Sequence, residues 1–176
     1  MKLCMFSPKE PCLDRGWPGR IDNETVIQLA AQTLQSFFTG GGQAREHAEY
    51  PLADVVFRAP VLHPPSVRIF DEAGDFAFAN PAAIKAIDEE PGVPGAEGVE
   101  RVAAIVGADG AIGGFTPLVE WVAPQLQGAK RRDFALTLGP VVSTPDEGVP
   151  PGVDWERLVA HAAENTALFP GDLIVR

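Results

Sequence analysis

The run VAAIV at 102–106 is unbroken in its apolarity and lies between a proline- and glycine-rich approach and a tight turn. So short and uniform a run suits a central strand, and the rest of the chain has to be laid around it. Ala108, Asp109, Gly110 and Ala111 read as the turn into a second strand over 112–116. From Pro117 the period changes. Proline fits the first turn of a helix, and Leu118, Trp121, Val122 and Leu126 recur at three- to four-residue spacing, which predicts a helix with one buried face. Phe134, Leu136 and Leu138 then alternate toward Gly139 and Pro140. Residues 112–140 are therefore expected to form a strand, a helix and a strand, with charged and aromatic side chains gathered at the turns.

Around this unit the chain is cut into short elements. Residues 1–6 alternate weakly and are expected to form an edge strand. A hairpin follows, from Gly19–Ile21 through Asp22, Asn23 and Glu24 into a strand over 25–29. Ala30, Ala31, Leu34, Phe37 and Phe38 mark one face of a short helix that the glycines at 40–42 stop. Short strands are expected at 55–57 and from 67. Asn80 and Pro81 look like the cap and first turn of a helix over 82–87. Asp71, Glu72 and Asp75 read as a solvated turn. Asp154 caps a last helix with Trp155, Leu158, Val159 and Ala162 on one side, and 173–175 is a closing strand. The sum is a mixed α+β domain.

The 176 residues are 45% hydrophobic, enough for a core without disulfides or a structural metal. The formal charge is -10, and Lys130, Arg131 and Arg132 are the only basic cluster. That balance argues against nucleic acid and anionic membrane as partners, because both need concentrated Lys and Arg. Cys4 and Cys12 lack the spacing of a zinc or redox pair. No apolar run is long enough for a signal peptide or a membrane span, so a cytoplasmic location is expected.

Several segments, in order, resemble the fumarylacetoacetate hydrolase family. They are MKLCMFSP at the start, GRID followed by TVIQL, PPSVR at 64–68, FANPAAI at 78–84, the strand pair 102–107 and 114–116, KRRDFALTLGP at 130–140, and the closing stretch from Asp154 through LFPGDLI. The resemblance identifies the chain as a divergent, truncated member. It implies a reduced mixed β-roll with short flanking helices and a small N-terminal β-hairpin region. Residues 1–66 would be that N-terminal region, packed on a core of 67–176. It also implies a homodimer, and a divalent cation acting on oxo-acids or β-dicarbonyl compounds. Here the sequence departs from the pattern. The family's Glu-x-Glu pair falls on Val99 and Arg101, its metal-binding Asp on Glu120, and its active-site Lys on Arg132. The following Asp and Phe are kept as Asp133 and Phe134. One carboxylate beside two arginines has too few oxygen donors for Mg²⁺, so neither metal nor other cofactor is expected.

The candidate residues each admit two readings. Glu120 is either a solvent-facing helix residue or salt-bridge partner, or a pocket acid or base. Arg132 and Asp133 form an ion pair with each other, or present a guanidinium to a substrate oxyanion. Arg101 follows the same logic. Thr137 is a strand residue or a pocket hydroxyl, and Phe115, Trp121 and Phe134 are core or a substrate platform. His47, His63 and His161 have no nucleophile or acid at recognisable spacing. Two functions fit: a metal-independent isomerase, cyclase or lyase acting on a carbonyl-rich small molecule, with Glu120, Arg132 and Asp133 catalytic, or a noncatalytic binding module or partner subunit.

Overall fold

The computed structural model describes residues 1–176 as one hydrogen-bonded sheet of thirteen short strands with two α-helices. The N-terminal meander is β1 (Lys2–Pro8), β2 (Trp17–Asp22) and β3 (Thr25–Leu29), followed by α1 (Leu34–Thr39), β4 (Glu46–Pro51) and β5 (Val55–Arg58). Next come β6 (Val67–Phe70), β7 (Phe76–Ala79), β8 (Ile84–Lys85) and the long pair β9 (Glu97–Val106) and β10 (Ile112–Val122). The chain ends with β11 (Leu136–Leu138), β12 (Val141–Ser143), α2 (Trp155–Ala163) and β13 (Leu173–Val175). The strand order is β4-β3-β2-β1-β12-β10-β9-β13-β6-β7, with β5 on β1, β11 on β10, and β8 on β11. This is the reduced β-roll that the resemblance implied, α+β by class.

The two faces of the sheet carry separate cores. On one, Leu3, Met5, Ala103, Ile105, Leu118, Leu136, Leu138, Leu173 and Val175 meet Leu34, Phe37 and Phe38 of α1. On the other, Phe70, Ala104, Val106, Phe115 and Ile174 meet Trp155, Leu158 and Ala162 of α2. β9 supplies both, which is why its apolar run has no polar alternation. Each fully buried side chain of this size contributes roughly 1.5–3 kcal/mol. A third cluster, Cys4, Phe6, Val26 and Val55, closes the N-terminal end.

Four expectations need correction. β1 is central: β2 lies along one side, and β12 and β5 divide the other. Its weak alternation reflects burial on both faces. α1 begins only at Leu34, because Thr33 and Ser36 form a reciprocal capping box that leaves Ala30 and Ala31 outside. Asn80 does cap, accepting from the Ala82 amide at 3.0 Å, but it caps a single 3-10 turn, Pro81–Ala83, that leads into β8.

The largest correction concerns 117–126, which is not helical: β10 runs through to Val122. Leu118, Glu120 and Val122 alternate inward, and that period of two wins over the helical spacing of Leu118, Trp121 and Val122 because both neighbours of β10 are strands. Pro117 is tolerated where β10 changes partner, between Phe115 opposite Ser143 of β12 and Leu118 opposite Leu138 of β11. At that break a missing N–H interrupts no ladder, and the Pro117 carbonyl still accepts from the Gly139 amide at 3.0 Å.

Candidate functional site

The register of β9 on β10 sets Val99 opposite Glu120 and Arg101 opposite Leu118. Directly opposed residues share a face, so these four side chains project to the side of the larger core. β11 adds Leu136 beside Glu120. Glu120 thus ends a row of leucines, with a side chain only 2% exposed. A carboxylate so placed needs partners. Arg101 supplies two donors to Oε2, Nε at 3.2 Å and Nη2 at 3.0 Å. Arg132 brings Nη1 within 3.6 Å of Oε1 while its own side chain stays 60% exposed.

Arg132 and Asp133 come directly after a 3-10 turn, Gly128–Arg131, made possible by Gly128 at φ +59. The two do not pair with each other. The Asp133 carboxylate accepts from Lys130 Nζ at 2.8 Å, and its carbonyl accepts from Asn80 Nδ2 at 2.9 Å. Asn80 therefore works at both ends: Oδ1 caps the turn before β8, and Nδ2 ties the end of β7 to the Arg132–Asp133 segment.

Arg101, Glu120, Arg132 and Asp133 line one wall of a cleft of about 500 Å³. The opposing wall is the β6–β7 hairpin, including Ile69, Asp71, Asp75 and Phe76. The turn read as merely solvated therefore stands at the mouth of the cleft, with Asp75 84% exposed. Its presence there results from strand order, for which the sequence carries no local signal.

The other candidates lie elsewhere. Phe115 packs on Trp155 of α2 at a ring distance of 5.1 Å, on the opposite face of β10. Trp121 also alternates away from Glu120 and donates from Nε1 to Thr137 Oγ1 at 2.9 Å, each satisfying the other. Phe134 is half-buried and is not among the residues lining the cleft. Four of the eight candidates come together, and the aromatic floor does not form beneath them.

A second polar cluster joins two motifs far apart in the chain. Arg68 of β6 is 6% exposed and donates to Ser66 Oγ at 2.5 Å, and Ser66 Oγ in turn donates to Asp172 Oδ1 at 2.6 Å. Asp172 Oδ2 accepts from the Phe169 amide at 2.7 Å and lies 3.8 Å from Arg68 Nη1. The Arg68 guanidinium lies 5.8 Å from the ring centre of Phe76 and 5.3 Å from that of Phe78. These contacts pin β6 against the turn before β13 and so fix the hairpin wall.

Fold and cleft together define a divergent protein of the fumarylacetoacetate-hydrolase-like fold. Among solved structures, the chain is similar to maleylpyruvate hydrolase from Sphingobium sp. SYK-6, at TM-score 0.79 and 19% identity, covering 99% of this chain and 87% of that one. It is also similar to 2-hydroxyhepta-2,4-diene-1,7-dioate isomerase from Mycobacterium marinum, at TM-score 0.72 and 20% identity over 99% and 86% of the two chains. A 2-keto-3-deoxy-D-arabinonate dehydratase complexed with magnesium and 2,5-dioxopentanoate matches at TM-score 0.73 and 14% identity, over 99% and 86%. No family model matches the sequence, and no curated protein sequence does.

The hydrolase has also been solved with manganese and pyruvate, so the fold can carry a divalent ion. The residues of this chain do not fit one. A hard cation needs several oxygen donors, whereas Glu120, the buried carboxylate of this face, has one oxygen taken by Arg101 and the other turned to Arg132, and Asp133 is paired with Lys130. No three His, Cys, Asp or Glu side chains gather anywhere in the chain as an ion requires.

Proposed function

We propose that the cleft is an active site for a metal-independent proton shift on a small carbonyl compound, of the isomerase, lyase or cyclase type. The observation that carries this reading is Arg132: a guanidinium 60% exposed in the cleft, 3.6 Å from buried Glu120 and next in sequence to Asp133. A planar fork of donors suits a carbonyl oxygen that becomes an enolate. Asp133 is the base. Its carboxylate removes a proton from the carbon beside the carbonyl, the electron pair moves onto the oxygen, and Arg132 stabilises the charge that develops there. Where a C=C bond adjoins the enolate, the electron pair extends to its far carbon, and return of the proton there completes an isomerisation without any redox partner. Glu120, buried and held by Arg101, stands 3.6 Å behind Arg132 and does not move the proton.

The fold supports this reading by analogy alone, since the similar structures include a hydrolase, a dehydratase and an isomerase. The test is proton NMR in D₂O with a panel of 2-oxo acids and 1,3-dicarbonyl compounds. Exchange at the carbon beside the carbonyl, lost in Arg132→Ala and Asp133→Asn, is expected. Absence of accelerated exchange across the panel, with binding retained, would replace the enzyme by a second reading: a small-molecule binding module. The engagement of both Glu120 oxygens favours that alternative, because it removes one candidate base.

A further inference from the structure

We propose that Arg101 is a resident cation, a side chain that does for Glu120 what a bound metal ion would otherwise have to do, and that it is a positioning residue rather than a ligand-binding one. This rests on the geometry of β9 and β10 and not on the catalytic reading of the cleft.

Glu120 is 2% exposed at the end of a row of core leucines, where an uncompensated carboxylate is not tolerated. The two guanidiniums near it are unequal. Arg101 is 21% exposed and delivers both Nε and Nη2 to one oxygen. Arg132 is 60% exposed and stands off at 3.6 Å. Compensation therefore falls to Arg101, and Arg132 is left free to turn toward a ligand.

The surrounding positions also define what Arg101 replaces. Val99 and Arg101 are two apart on β9, on the same face, with Val99 directly opposite Glu120. The resemblance maps Val99 and Arg101 onto a carboxylate pair and Glu120 onto a third. Carboxylates at all three positions would make a cluster of oxygen donors on two adjacent strands, which demands a cation. With valine and arginine there, the demand falls to a single negative charge, and the cation is built into the chain. The change of two side chains thus converts a site that must acquire its positive charge from solution into one that carries it.

The test is Mn²⁺ titration followed by electron paramagnetic resonance, with thermal melting of the same samples. Wild type is expected to show no saturable Mn²⁺ site that depends on Glu120. Val99→Glu combined with Arg101→Glu is expected to bind one Mn²⁺ per chain and to melt at higher temperature in its presence. Saturable binding by wild type that Glu120→Gln abolishes would overturn the proposal. A folded double variant that binds no Mn²⁺ would do the same. Should the double variant not fold with or without the ion, Arg101→Ala decides. It is expected to lower the melting temperature, and Arg101→Ala with Glu120→Gln is expected to recover most of the loss. A single variant as stable as wild type, or a pair no better than the single, would show that Arg101 is not the counter-charge. None of these readouts requires a substrate, so their failure is separable from failure of the catalytic reading.

Discussion

Arg101 directs Nε and Nη2 onto the same oxygen of Glu120, at 3.2 and 3.0 Å, and leaves the second oxygen facing Arg132. The pair is thus not a symmetric fork. One arginine is committed to the fold, and the other sits at the surface of the cleft.

Stability should divide along that line. Arg101→Ala leaves a buried carboxylate without its partner and is expected to cost about 3 kcal/mol. Arg132→Ala removes a mostly exposed group and is expected to stay within about 1 kcal/mol. Urea unfolding of the two variants measures both, and equal costs would contradict the division.

The cluster linking β6 to the turn before β13 should be as sensitive as the cleft pair. Asp172→Ala strands Arg68 and removes the acceptor for Ser66 and for the Phe169 amide. The expected loss is about 3 kcal/mol, or roughly 10 °C in melting temperature for a chain of this size. Asp172→Asn keeps a side-chain acceptor for Ser66 and is expected to fall between that variant and wild type in the same melting experiment.

The two cysteines should be told apart by thiol chemistry. Cys4 is buried in the N-terminal cluster and Cys12 is exposed. Burial pushes the Cys4 thiol up from 9.0 to about 12. In the native protein a disulfide reagent is expected to label Cys12 alone, and to label both only after unfolding. The raised value also sets the sign for stability. The folded chain keeps a proton that the unfolded chain releases, so this contribution is complete below about pH 9 and is lost as pH rises toward about 12. Melting curves across that range should move down for wild type and less for Cys4→Ala.

Gly139 stands at the corner where β10 passes from β12 to β11. Its φ is +92, and a Cβ there would come 2.6 Å from Cδ of Pro60. Gly139→Ala combines backbone strain with a clash against a ring that cannot turn away, and a cost of about 2–3 kcal/mol is expected. Unfolding midpoints of this variant and of Gly41→Ala, where φ is +81 but no atom lies within 4 Å, separate the clash from the strain.

How far the sequence could be read depended on whether the deciding force was local. The N-terminal hairpin, the glycine stop after α1, the Asp154 cap and the apolar strand at 102–106 rest on turn chemistry, capping and burial, and all are present. Segment 117–126 defeated periodicity, because Leu118, Trp121 and Val122 satisfy a helical stripe and a strand alternation at once. The pairing of β10 with β9 and β11 decided between them. Of the site, Arg101, Glu120, Arg132 and Asp133 were legible as charges near the central strands. Their division into Arg101–Glu120 and Lys130–Asp133 was not, since it depends on register and on a 3-10 turn. By sequence Phe115 falls in a strand and Trp121 in a helix, which lets both face one pocket; in the single continuous strand β10, alternation sends both away from Glu120. The placement of the hairpin as a wall of the cleft had no signal at all, because β6 joins the central strands through β13, more than a hundred residues further along the chain.

That last connection has a consequence for assembly. β13 lies between β9, which it meets antiparallel, and β6, which it meets in parallel. Apart from the Asn80–Asp133 hydrogen bond, the ladder that joins the two walls of the cleft runs through three residues, Leu173–Val175, that follow both walls in the chain. Until they dock, the hairpin and the β9–β10 pair have no common ladder, and their exposed edges are open to pairing with other chains. The ladder across the cleft therefore cannot close before Leu173–Val175 are in place.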